Sequence, residues 1–282
     1  MKRTYSVAIG LGFDCKCSQS LRRAGLQFRS YPFDWVTGAS LESRIRMLAE
    51  DFAAWPGPDS LEDLGAETTD RFAERHRVVR DRRSGLEFRH DFPADRSIED
   101  GFPEVREKYD RRISRMLREI QDAETVLLVF LQGLGHPLPS LADARSAYRI
   151  LDERFGSKCT LLLVGDDDPE HPGHPMGRES AADGHLLRWS LPCIQHTSLG
   201  DTVNDHAIAD ALRAEFEVPD PRTPKEKRNY ARLERARKFA KYKARTPLGM
   251  VWNQLQFRLY RKLQKSLRRK GIIPPAPPRT PQ

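Results

Sequence analysis

The residues best placed to do chemistry open the chain. Gly12-Phe13-Asp14-Cys15 follows a short apolar β-type run, Thr4 to Gly10, and precedes a helical stretch. A thiol at such a strand-to-helix turn lies among backbone N–H groups and near the positive end of a helix dipole. Both favour the thiolate, the species that attacks carbonyl carbon, and the same N–H groups suit a developing oxyanion. Cysteine is also a small apolar residue that packs well, so a purely structural Cys15 is the plain alternative, and Cys17 reads as a buried helix-start residue. Asp166-Asp167-Asp168 ends the apolar run Cys159 to Val164, at the strand edge where α/β sheets bind ligands, though three acidic residues there also make an ordinary solvated turn. His171 and His174 in the following Pro/Gly loop give only a sparse metal-ligand pattern. Gly10-x-Gly12 lacks the third glycine of a dinucleotide fingerprint, so no cofactor is expected.

These residues need elements to position them. After the first strand, Ser18 predicts the cap of a helix to about Ala24, stopped by Gly25. Leu41, Ile45 and Leu48 recur at helical spacing behind Ser40. Arg75 to Arg80 and Leu86 to His90 flank Asp81-Arg82-Arg83-Ser84-Gly85 and predict a β-hairpin. Val105, Tyr109, Ile113, Met116, Leu117 and Ile120 mark one face of a long amphipathic helix. Beyond it, strands over Thr125–Leu131, Cys159–Val164 and His185–Trp189 alternate with helices over Ser140–Arg154 and from Asn204 to about Phe216. The fold class expected is α/β: a mostly parallel sheet with helices on both faces, a β-hairpin insertion and a basic helical C-terminal tail.

Charge divides the chain in the same way. Its 282 residues carry +8 overall, yet residues 221–282 hold 19 Lys and Arg against only Glu226 and Glu234. Residues 1–220 carry 29 basic and 38 acidic side chains. Pro219, Pro221 and Pro224 mark the junction, giving an α/β domain over 1–220 and a basic tail over 221–282 with a proline-rich end. No run is long and apolar enough for a transmembrane helix, and Asp14 ends the N-terminal run too early for a signal peptide. The expected location is therefore cytoplasmic, with Cys15, Cys17, Cys159 and Cys193 reduced and no Cys-x-x-Cys zinc pair. In the tail, Val251, Leu255, Leu259, Leu263 and Leu267 step by four opposite Arg258, Arg261, Lys262, Lys265, Arg268 and Arg269. That pattern suits an anionic membrane surface bound through residues 246–270, peripherally at the inner membrane face. Docking on the acidic body is the rival, and a nucleic-acid partner fits less well.

Several blocks resemble a known family. Ile9-Gly10-Leu11-Gly12-Phe13-Asp14-Cys15, Leu21-Arg22, Gly25-Leu26 and Ser30-Tyr31-Pro32-Phe33-Asp34-Trp35 are similar to the opening of a bacterial family of papain-like cysteine peptidases that is also a domain of unknown function. Phe88-Arg89-His90-Asp91-Phe92 and Lys108-Tyr109-Asp110-Arg111-Arg112-Ile113-Ser114-Arg115 continue the resemblance, which spans about residues 5–131. It implies Cys15 as nucleophile, His90 as base and Asp34 or Asp91 as the carboxylate orienting the imidazole, acting on an acyl or peptide-like substrate. A Cys, a His and a carboxylate suffice for acyl transfer. Without the resemblance, His90 is equally a solvated strand residue and Asp34 a turn residue holding Phe33 and Trp35.

Two other arrangements stay open. Asp201 and His206, between the last strand and the last helix, resemble the late Asp–His pair of SGNH-type hydrolases and would make His206 the base. Asp166 and Asp168 resemble the metal–nucleotide motif of glycosyltransferases, which implies a sugar-transfer enzyme or an accessory protein of surface polysaccharide assembly. A non-catalytic binding module with a packed Cys15 is the third class. The expected activity is a cysteine-dependent hydrolase or acyl transferase working through a Cys15 thioester.

Overall fold

A computed structural model describes residues 1–12, 15–69, 75–132, 138–165, 176–191 and 203–243. The chain divides into two units, Met1–Asp220 and Pro221–Gln282. The first opens with β1 (Arg3–Thr4), β2 (Val7–Gly12) and α1 (Cys15–Ala24), then a 3-10 turn (Pro32–Trp35), β3 (Val36–Gly38) and α2 (Leu41–Ala49). β4 (Leu61–Thr69), β5 (Arg75–Asp81), β6 (Leu86–Pro93) and the long α3 (Ile98–Asp122) follow. The remainder is β7 (Val126–Leu131), α4 (Leu141–Phe155), β8 (Cys159–Gly165), β9 (Gly177–Ser180), β10 (Leu186–Ser190), α5 (Val203–Glu215) and β11 (Phe216–Glu217).

The main sheet has the order β2-β7-β8-β10-β9, parallel except for β9 at its edge. β7 and β8 are buried along their whole length, as strands covered on both faces must be. Leu128, Phe130, Leu161 and Leu163 enter one core with α2, α3 and α4. Leu127, Val129, Leu162 and Val164 enter the other with α1 and α5. The amphipathic reading of α3 holds, with Val105, Tyr109, Ile113, Met116 and Ile120 buried. Ser40 and Ser140 cap α2 and α4 through hydroxyls that accept from the Ser43 and Asp143 N–H groups.

One expectation is corrected, and the structure extends the sequence reading in two further respects. First, α1 begins at Cys15 rather than behind a Ser18 cap, because the Ser18 hydroxyl donates to the Cys15 carbonyl within the first turn. β2 correspondingly runs on to Gly12. Second, the expected hairpin forms as β5 and β6, and it is the middle of a four-stranded antiparallel sheet, β3-β6-β5-β4. β4 carries no strand pattern of its own, because Leu61-Glu62-Asp63-Leu64-Gly65-Ala66 is acidic and interrupted by glycine. Third, that sheet is bulged on both sides of Val78. Between the pairs Val79↔Phe88 and Arg77↔Phe92, β6 places Arg89, His90 and Asp91 opposite the single Val78. Between Asp63↔Val79 and Glu67↔Arg77, β4 does the same with Leu64, Gly65 and Ala66.

In the second unit, α6 (Pro224–Lys243) starts from a capping box: Thr223 Oγ1 accepts from the Glu226 N–H, and Glu226 accepts from the Thr223 N–H and hydroxyl. The stretch 246–270, expected from its sequence to bind an anionic membrane surface, lies outside the described residues. No described helix is long and apolar enough to cross a membrane.

The two sheets meet over an aromatic cluster. Phe33, fully buried, packs 5.4 Å from Phe52 and 6.3 Å from Trp55 between ring centroids. Trp55 continues to Tyr109 at 5.0 Å and Phe88 at 6.1 Å. Truncating Phe33 would leave a cavity that rigid neighbours cannot fill. Phe33→Ala is expected to cost about 3–5 kcal/mol in urea denaturation, and a loss below about 1 kcal/mol would contradict this packing.

Candidate functional site

Cys15 is the first residue of α1 and is half-buried. The corner that delivers it is built from glycines and one carboxylate. Gly12 ends β2 at φ +103°, a left-handed conformation that side chains rarely adopt. A β-carbon there would lie 2.9 Å from Arg44 Cζ. Gly10 lets α1 approach closely: a β-carbon there would meet Cys17 Sγ at 3.3 Å. Cys17 itself is buried and donates to the Val129 carbonyl at 3.2 Å, so α1 is fastened to β7 through this thiol.

Asp34 ties the corner together. Its side chain is fully buried and accepts from Arg22 Nη2 at 2.8 Å, from Gln27 Nε2 at 2.9 and 3.0 Å, and from the Tyr31 N–H at 3.1 Å. Gln27 Oε1 in turn accepts from the Gly10 N–H at 3.1 Å. One carboxylate thus links α1, β2 and the 3-10 turn. Burial pushes the Asp34 carboxyl upward, while the Arg22 guanidinium, Gln27 and the Tyr31 N–H draw it back. Tyr31 donates to Glu119, which also pairs with Arg29 at 3.0 Å and so anchors this block on α3.

Asp91 lies at the other end of the block, its carboxylate buried against Lys108 and the Tyr109 hydroxyl, the latter at 2.9 Å. Burial raises the Tyr109 hydroxyl, which therefore stays a donor to Asp91. His90 is exposed on the bulge of β6, its ring 6.2 Å from that of His76 on β5 in an edge-to-face arrangement. Bulges re-aim side chains and recur beside active sites. The two carboxylates read as candidate orienting groups are thus held by other partners: Asp34 by Arg22, Gln27 and Tyr31, Asp91 by Lys108 and Tyr109. His206 is exposed in the first turn of α5, the helix that packs on α1. Asp201, Asp166 and Asp168 lie outside the described residues. Among the described residues no cluster of three or more His, Cys, Asp or Glu side chains could hold a metal.

The thiols differ sharply in setting. Cys159 is buried at the start of β8, and burial pushes it up to about 12, which keeps it a neutral thiol near pH 7. Arg22 enters the sequence reading only within the Leu21-Arg22 block of the resemblance, and Gln27 and Arg44 do not enter it. Arg44 had a signal: it falls within the apolar stripe Leu41, Ile45, Leu48 of α2, where a charge needs a reason.

Fold and site together define an α/β protein with a cysteine entering a helix at the carboxyl end of the first sheet strand. Residues 6–139 match the model of the family described as "Putative papain-like cysteine peptidase (DUF1796)". No curated protein and no solved structure matches the chain.

Replacing Asp34 by Asn keeps the shape but removes the charge that four donor contacts converge on. Since Arg22 is a quarter exposed and water can partly compensate it, Asp34→Asn is expected to lower stability by about 2–3 kcal/mol in urea denaturation. A variant as stable as the parent would show that the network does not hold the corner.

Proposed function

We propose that this protein is a cysteine-dependent hydrolase or acyl transferase whose nucleophile is Cys15, acting on a peptide or related acyl substrate. The observation that carries the reading is the placement of a half-buried thiol on the first residue of α1, after the Gly12 corner. The family match over residues 6–139 supports the same chemistry. The Cys15 thiolate would attack the substrate carbonyl carbon, and N–H groups at the start of α1 would receive the charge on its oxygen. Collapse forms a thioester and releases the amine or alcohol, which receives the proton that the base took from the Cys15 thiol. Water or an acceptor then attacks the thioester and restores the thiol. His90 is the base we favour, because its bulge turns a strand residue out of the regular sheet alternation.

The test is a competition among thiols and bases in the full chain. Brief treatment with p-nitrophenyl acetate or iodoacetamide at neutral pH, followed by peptide mass spectrometry, should modify Cys15 before Cys17, Cys159 or Cys193. His90→Ala should slow acetylation of Cys15 by about a hundredfold, the low end of general-base effects, while His206→Ala leaves it unchanged. Faster modification of Cys159 or Cys193 than of Cys15 would overturn the nucleophile, and the reverse ranking of the two histidine variants would move the base to His206.

A further inference from the structure

We propose that Arg44 is a positioning residue for the Cys15 thiol, an inference that rests on the nucleophile reading above: its guanidinium pins the Gly12 corner and supplies a fixed positive charge beside it. Arg44 is the largest side chain fully buried among the described residues. It donates to the Leu11 carbonyl through Nη1 at 2.7 Å, to the Gly38 carbonyl through Nη2 at 2.5 Å and to the Ala39 carbonyl through Nε at 3.4 Å. The guanidinium also lies 5.3 Å from the centroid of the Phe33 ring.

These partners belong to different sheets. Leu11 stands at the end of β2, one residue before the corner that leads to Cys15. Gly38 ends β3, which pairs with β6 through Gly38↔Leu86 and Val36↔Phe88. β6 carries His90 two residues beyond Phe88. A planar, multi-donor fork is what bridging such separated carbonyls requires, and a point-like ammonium reaches fewer of them. The absent β-carbon of Gly12 is part of the same fit, since it would collide with the guanidinium. Arg44 therefore joins the strand that delivers the thiol to the sheet that delivers the histidine.

The charge matters separately from the hydrogen bonds. A guanidinium stays protonated at every working pH, so a cation at this corner favours an anion on the nearby turn, in the same sense as the N-terminus of α1. Among the described residues, the other titratable groups there are Lys16 and Cys17 on α1 and Asp34 on the 3-10 turn, the last paired with Arg22; Asp14, which precedes Cys15, lies outside the described residues. β2 and β7 contribute none, and the α5 sequence carries Asp205, His206, Asp210, Arg213 and Glu215.

The experiment measures the rate of Cys15 alkylation by iodoacetamide against pH in the full chain, with Cys159 as an internal reporter of folding. Arg44→Gln retains a donor for the carbonyls but removes the charge, and Arg44→Lys keeps the charge. With Gln, the profile should move up by about one pH unit and the rate at pH 7 should fall about tenfold, with Cys159 still protected. With Lys, the profile should stay at the wild-type position. Superimposed Gln and wild-type profiles would overturn the proposal, as would equal shifts for Gln and Lys. If Gln exposes Cys159, the Lys variant decides alone: an unshifted profile upholds the proposal and a shifted one overturns it. A wild-type chain in which Cys15 alkylates no faster than Cys159 would instead defeat the nucleophile reading, whatever the Arg44 variants do.

Discussion

A carboxylate taken wholly out of water costs several kcal/mol unless donors replace its hydration. Asp34 meets that condition only when α1, β2 and the 3-10 turn are all in place. Arg22 comes from α1, the Tyr31 N–H from the residue before the turn, and Gln27 joins the carboxylate to the Gly10 N–H of β2. None of these segments satisfies the charge alone. The interaction therefore penalises partly assembled states more than it rewards the finished one. That is what fixes a corner rather than merely favouring it.

The antiparallel sheet hangs from this corner through two further contacts of different character. Phe33 and Trp55 are apolar anchors of large area that resist displacement without specifying direction. Arg44 specifies direction, because its fork must meet carbonyls at the ends of β2 and β3 at once. Packing holds the sheets together and hydrogen bonding sets how they meet. The paired bulges at Val78 then bend the strands away from regular alternation, so that Phe88 and Phe92 are both buried while His90 between them is exposed.

Most of the parallel sheet could be read from the chain because its signals are local. Continuous apolar runs mark β7 and β8, and helical spacing marks α2 and α3. What escaped reading depends on partners far along the chain. β4 is acidic and broken by Gly65, so its strand state comes from pairing with β5 rather than from its own residues. The bulge at His90 is a mismatch of register between two strands, and neither strand alone carries it. For the site, Cys15 was legible because turn, helix start and thiol are adjacent. The role of Gln27 was not, since a polar residue in a loop gives no sign that it will bridge Gly10 and Asp34. Family resemblance drew attention to Asp34 and Asp91, and the fold adds the partners that hold each one.

The cysteines show how environment, rather than residue type, separates roles. Cys17 and Cys15 are two residues apart on one helix, yet Cys17 is buried with its proton directed at the Val129 carbonyl, while Cys15 is half-buried at the helix start. Cys159 lies in the sheet core, where desolvation holds it as a neutral thiol. A thiol in the core forfeits reactivity by the same burial that makes it useful for packing. Only at the end of a strand, where the chain must turn and the first N–H groups of a helix lack intrahelical acceptors, do partial exposure and a field favouring an anion coincide. The fold needs rigid sheets to make that corner stiff, and it needs glycine at position 12 to make it tight. The stiffness and the tightness meet in the contact between Gly12 and Arg44.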